Sequence, residues 1–170
     1  MNKLPVGILG ATGIVGQNYI KLLQNHPWFD VKFVAASSRS AGKTYKEATF
    51  GRWQTDIPIP GKIAKLKVAN VKDIKEAKSK CTFVFSALEL ESKDELRKLE
   101  MEYAKKNIPV VSNASAHRWT EDVPMIIPEI NHEHLKIIYQ QQKNHELRKG
   151  FIVVKPNCSL QSYLTPLHAL

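Results

Sequence analysis

Cys158 stands in the run Phe151-Ile-Val-Val-Lys155-Pro-Asn157-Cys158-Ser159, where an apolar, strand-like stretch gives way to a helix-like one. A thiol at a helix N-terminus faces the positive end of the macrodipole, which favours the thiolate nucleophile. The other cysteine, Cys81, lies just before an apolar run and reads as a packing residue. Near the other end of the chain, Gly10, Gly13 and Gly16 follow the apolar run Val6-Gly-Ile-Leu9. Glycine turns the chain tightly out of a strand and lets backbone N–H groups approach a pyrophosphate with no Cβ in the way. The spacing is G-x-x-G-x-x-G and meets the common G-x-G-x-x-G fingerprint only approximately. The plain alternative is a glycine-rich turn between two buried elements.

NAD-binding folds place an Asp or Glu about 20 residues beyond the glycines to accept from the ribose 2′-hydroxyl. Here that place reads Ser37-Ser38-Arg39-Ser40, with no carboxylate. Arg39 suits a 2′-phosphate bidentately and the serines can donate to it, so NADP is favoured over NAD. A polar loop with Arg39 in solvent is the alternative. In the run Val110-Val-Ser112-Asn113-Ala-Ser115-Ala-His117-Arg118, Asn113 offers an amide and Arg118 a fork for phosphate or carboxylate. His117, beside a guanidinium, reads as a structural or exposed residue more than as a base.

These groups need elements to hold them. Short, β-branched apolar runs predict strands over residues 6–9, 31–36, 67–69, 82–86, 109–112 and 151–154. Helical patterns cover 14–25, 71–77, 93–106 and 132–148. Residues 39–61, rich in Gly and Pro, read as mostly loop, and 119–128 as extended. Alternating strands and helices predict a Rossmann-like, doubly wound α/β fold, with a mostly parallel six-stranded sheet and helices on both faces. Asn113 and Arg118 leave the fifth strand at the C-terminal sheet edge, where the glycine loop also lies and where such folds gather ligands.

At 170 residues the chain is long enough for a domain with a real core, and 43% hydrophobic with 24% charged residues is ordinary for a globular protein. No apolar run approaches a membrane span, and residues 1–5 lead directly into the first strand, so neither a signal peptide nor a membrane segment is expected. Two cysteines make neither a disulfide framework nor a metal site, which favours a reducing, cytoplasmic setting. The net charge is +9, but Lys62, Lys65, Lys67, Lys72, Lys75, Lys78 and Lys80 alternate with core-like apolar residues and read as solvated faces. Nucleic acid is therefore not an expected partner; a phosphorylated small molecule is.

Six segments, in order, carry a resemblance: GATGIVGQ (10–17), SSRSAGKTYKEA (37–48), FSAL (85–88), SNASAHR (112–118), DVPMIIPEIN (122–131) and GFIVVKPNCS (150–159). Together the chain resembles the N-terminal part of aspartate-β-semialdehyde dehydrogenases of the archaeal and fungal type. The resemblance implies an NADP-binding domain over 1–157, with 158–170 opening a catalytic and dimerisation domain. It implies the reversible reductive dephosphorylation of L-aspartyl-4-phosphate to aspartate semialdehyde, in amino-acid biosynthesis. Cys158 matches the nucleophile that forms the thioacyl intermediate, and Arg118, with Asn113 beside it, the holder of the substrate phosphate. Gly10, Thr12, Gly13, Ile14 and Val15 match the pyrophosphate loop. Ser37, Arg39 and Ser40 match the 2′-phosphate contacts, and Ser86, Ala87 and Leu88 a stretch near the cofactor. Full-length members are homo-oligomers.

Two departures accompany it. Leu160-Gln161 follows Asn-Cys-Ser where the family usually has Thr. The family's later acid/base histidine and carboxylate-binding residues have no counterpart, since His168 is too close to Cys158. The chain is thus expected to be a piece of a longer protein, binding cofactor but turning over little by itself. The rival readings are a non-catalytic NADP-binding module, an N-acetyl-γ-glutamyl-phosphate reductase and a malonyl-CoA reductase.

Overall fold

The computed structural model describes residues 2–170. They fall into two compact units, one ending at Leu88 and the next beginning at Glu89.

In the first unit, β1 (Leu4–Leu9) leads through the glycine loop into α1 (Ile14–Leu23) and back to β2 (Phe29–Ala36). α2 (Tyr45–Ala48), α3 (Gly61–Ala64), β3 (Ala69–Asn70), α4 (Ile74–Lys80) and β4 (Phe83–Ser86) follow. The strands lie in the order β3-β2-β1-β4, and each neighbouring pair is parallel. Val6, Gly7, Ile8 and Leu9 are all buried. Successive strand residues point to opposite faces, so unbroken burial means that both faces of β1 are covered. α1 and α4 both pack on it. Ile8 and Leu9 are fully buried, and burial of each contributes about 1.5–3 kcal/mol. Tyr45, Ile63 and Val68 join the same core from the region beyond β2.

In the second unit, α5 (Lys93–Lys105) precedes β5 (Val110–Ser112). Ser92 caps α5 by accepting from Asp94 and Glu95 N–H, and two carboxylates stand in its first turn. After a long connection come α6 (Pro128–Asn131), a 3₁₀ turn (His132–Lys136), α7 (Ile137–Asn144), β6 (Ile152–Val154) and α8 (Cys158–His168). β5 and β6 pair in parallel, Val110 with Ile152 and Ser112 with Val154. The fully buried Gln141 of α7 donates to Ile152 O at 3.0 Å and accepts from Ile152 N at 2.7 Å, which pins α7 to β6.

All six expected strands form, and the fold is the Rossmann-like α/β class. Residues 39–61 are mostly loop as expected, broken by α2, which the Thr44–Glu47 capping box nucleates. Two helix expectations need correction. The helix expected over 71–77 starts later, because the Asp73 carboxylate caps Glu76 N–H at 3.2 Å. The helix expected over 132–148 is broken. Asn131 binds Ile127 N at 2.8 Å and Met125 O at 2.9 Å, and Glu146 takes the left-handed conformation just past the end of α7. Among the described residues no helix is long and apolar enough to cross a membrane.

Gly10 has φ +74°, and a Cβ there would run into the Ala87 carbonyl. Gly10→Ala is expected to lower stability by about 2–4 kcal/mol, joining a left-handed penalty of about 1–2 kcal/mol to the backbone clash. Urea unfolding measures this, and a loss under about 0.5 kcal/mol, the range of ordinary surface changes, would contradict it.

Candidate functional site

The first unit builds a phosphate cradle. Ala11 N–H is held by Ala35 O at 3.0 Å and Gly13 N–H by Gly10 O at 3.1 Å. Gly13 is the N-cap of α1 and supplies no side-chain cap, and the first turn contains no acidic residue. The N–H groups of Ile14, Val15 and Gly16 open the helix and have no acceptor within it. Gly13, Ile14 and Val15 are exposed, and Thr12 is half-buried. Gly16 is the close-packing glycine: a Cβ there would strike Gly10 O. An anion fits this end of α1 on backbone donors and dipole alone.

The loop after β2 is a tight turn. Ser37 O accepts from Ser40 N at 3.0 Å and Ala41 N at 3.1 Å, which pushes Ser38 and Arg39 outward. Ser37 and Arg39 are exposed; Ser40, 5% exposed, is turned into the protein. No carboxylate stands on this turn. Ser86 pairs in register with Leu9, and Ala87 N–H donates to Leu9 O at 2.9 Å, so both lie at the strand end that carries the cradle. The Ser86 hydroxyl is buried without a hydrogen-bond partner, and Leu88, two residues on, is buried. An orphan donor, backbone amides and a carboxylate-free turn fit a dinucleotide with an extra phosphate. A separate cavity of about 260 Å³, lined in part by Lys3, Phe29 and Asp30, touches none of these residues.

The second unit gathers a different set. Cys158 is exposed and is the first residue of α8. Its N-cap, Asn157, accepts from Ser159 N at 2.8 Å. Arg118 donates from Nε to Lys155 O and from Nη2 to Asn113 O, both at 3.2 Å. Lys155 N–H in turn donates to Ser112 O at 3.0 Å. The segment carrying Asn113 and Arg118 is thereby tied to the segment that leads into Cys158. Desolvation pushes the Lys155 ammonium below its ordinary range; the Arg118 charge acts in the same direction, and Cys158 opposes both. Sequence reasoning passed over Lys155. The signal was a cation three residues before the thiol, in Lys-Pro-Asn-Cys.

His117 is a structural residue. It is 3% exposed, and its Nδ1 lies 3.2 Å from Thr120 Oγ1. Burial pushes it down to about 4, so it is neutral at physiological pH. Its Nε2 lies 3.8 Å from Glu100 Oε2, and Ser112 Oγ donates to Glu100 Oε1 at 2.7 Å. Arg97 Nε donates to Ala116 O at 2.7 Å. α5 therefore grips the loop that carries Arg118 from below.

Residues 5–138 match the family described as semialdehyde dehydrogenase, NAD binding domain. The aspartate-semialdehyde dehydrogenase of Schizosaccharomyces pombe is 41% identical over 97% of this chain and 44% of its own length. That of Methanothermobacter thermautotrophicus is 46% identical over 91% of this chain and 42% of its own. Among solved structures, the Candida albicans aspartate semialdehyde dehydrogenase with NADP aligns with a TM-score of 0.83 and 35% identity, over 98% of this chain and 46% of that one. The Vibrio cholerae enzyme II complexed with ASA aligns with a TM-score of 0.68 and 27% identity, over the same shares. This chain thus spans less than half the length of these relatives. The match over residues 5–138, reaching from β1 into α7, places the chain in the semialdehyde dehydrogenase NAD-binding domain family.

Proposed function

We propose that the chain is the NADP-binding part of an aspartate-semialdehyde dehydrogenase, with residues 1–157 as the dinucleotide domain and Cys158 opening the catalytic one. The reaction is the reversible conversion of L-aspartyl-4-phosphate, with NADPH, to aspartate semialdehyde, phosphate and NADP. One observation carries the reading: an exposed thiol begins α8, and Arg118 is anchored on the carbonyl of Lys155 three residues before it. In the reductive direction the Cys158 thiolate attacks the acyl phosphate and phosphate leaves, giving a thioester on sulfur. Arg118, with Asn113 and Lys155 nearby, holds the phosphate oxygens. Bound NADPH would supply a hydride to the thioester carbon; Cys158 would then leave as the thiolate as the aldehyde forms. A reducing cytoplasm keeps Cys158 in the thiol form that this chemistry needs.

The cofactor half has its own test. Arg39 is the exposed cation on a turn without a carboxylate. Arg39→Ala is expected to weaken NADP binding by about 1.5–3 kcal/mol, the worth of hydrogen bonds to charged groups, and to leave NAD nearly unchanged. Calorimetry with both dinucleotides decides; equal loss for the two would remove Arg39 from the 2′-phosphate site.

A further inference from the structure

The glycine loop has two carbonyls with no place in the sheet or helix ladders, those of Ala11 and Thr12. Both are taken by side chains from behind. The Tyr45 hydroxyl donates to Ala11 O at 2.8 Å. Gln17 Nε2 donates to Thr12 O at 3.0 Å. Tyr45 is fully buried, and Gln17 is 2% exposed.

Each donor is itself held. Tyr45 opens α2, which the Thr44–Glu47 capping box fixes, and its ring stands edge-on to Trp53 with centroids 6.2 Å apart. Gln17 also donates to Arg52 O at 2.9 Å and accepts from Gln54 N at 2.8 Å, so its amide is used at both ends. Neither side chain can swing away without breaking a second contact.

A trans peptide points its C=O and N–H in opposite directions. With Ala11 C=O drawn inward by Tyr45, the Thr12 N–H is turned outward. The Thr12–Gly13 peptide is pinned twice, its C=O by Gln17 and its N–H by Gly10 O at 3.1 Å. A loop containing Gly10 and Gly13 would otherwise sample orientations that turn carbonyl oxygens toward an incoming anion, and binding would have to supply the ordering free energy.

We infer that Tyr45 and Gln17 are positioning residues for a pyrophosphate group: they hold the Ala11 and Thr12 carbonyls away from the anion and so form the loop before it binds. The inference rests on the NADP reading above, and its test separates the two. Tyr45→Phe keeps the ring and removes one hydroxyl. Amide-detected titrations compare NADP with adenosine 2′-monophosphate, which has the 2′-phosphate and no pyrophosphate. The variant is expected to lose about threefold to tenfold in NADP affinity, the worth of one hydrogen bond, and less than about twofold for the monophosphate. Equal losses for the two ligands, or none for NADP, overturn the inference. Hydrogen exchange of the ligand-free chain reads it independently. Protection of Gly13 N–H is expected to drop by about threefold to tenfold in Tyr45→Phe, with the β1 amides unchanged. Unchanged Gly13 protection overturns the inference even where NADP binds; a wild-type chain that binds neither ligand overturns the NADP reading, and the exchange result still decides the role of Tyr45.

Discussion

With Cys158 replaced by alanine, phosphate-dependent oxidation of aspartate semialdehyde is expected to fall by at least about 10⁴-fold, the scale on which loss of a covalent nucleophile acts. The measurement needs the chain extended to the length of its relatives. In the reaction proposed above, run in this direction, the Cys158 thiolate would add to the aldehyde carbon, bound NADP would take the hydride, and phosphate would then displace sulfur from the thioester. Alanine offers no atom to carry the acyl group between the two steps. Cys81 offers no substitute. It is buried, its S–H donates to Ala77 O at 3.0 Å, and burial pushes its thiol up to about 12. At pH 7 that leaves a thiolate fraction on the order of 10⁻⁵. The 170-residue chain alone therefore reports on the same assignment: iodoacetamide is expected to mark Cys158 and leave Cys81 unmodified until the protein unfolds. Activity within about tenfold of wild type in Cys158→Ala, or labelling of Cys81 first, would sink the assignment.

The second large effect is on stability in acid. His117 is neutral in the folded state because burial opposes its charge; the Arg97 and His145 charges act in the same direction, and the Asp122 charge opposes them. The Arg97 backbone hydrogen bond also raises it, and Glu100 Oε2 lies 3.8 Å away. Its folded value, about 4, lies below the ordinary 6.5. Between those two pH values the unfolded chain binds a proton that the folded chain does not, so stability is lost as pH falls from 6.5 to 4. The loss is about 3 kcal/mol. Urea midpoints across this range measure it, and His117→Asn should flatten the slope by that amount. A flat or rising wild-type profile would mean that the Glu100 carboxylate holds an imidazolium, and would overturn the neutral-histidine reading. The loss bears on function, because His117 immediately precedes Arg118 in the loop that α5 grips.

Conformation written in glycine spacing and apolar runs was legible in the sequence; single side-chain hydrogen bonds, near or far, were not. The glycine spacing gave the β1–α1 turn because the conformation is written in the residues that adopt it. Unbroken apolar runs gave the strands for the same reason. The α2 helix hid among glycines and prolines because its signal is one Thr–Glu pair. The break in the segment after Asn131 comes from hydrogen bonds of its side chain to Met125 and Ile127, four to six residues back, which no hydrophobic periodicity records. Ser40 read as a donor to the 2′-phosphate because it is a serine in a polar run, yet the turn accepted by Ser37 O buries it. Lys155 became a candidate only when Arg118 was found on its carbonyl. Gln17 read as one more residue of an amphipathic helix; its partners lie 35 and 37 residues further on.

Those separations bear on the order of folding. A chain that has formed only β1 and α1 has the glycines, yet neither Tyr45 nor the partners that lock Gln17. Closing loops of this length carries an entropic cost that local helix formation does not. The nucleotide loop is therefore expected to be among the later parts of its unit to become ordered, although it follows directly on that unit's first strand. A fragment ending before Tyr45 would contain the whole glycine motif and still lack the hydroxyl on Ala11 O and the two backbone partners that lock Gln17.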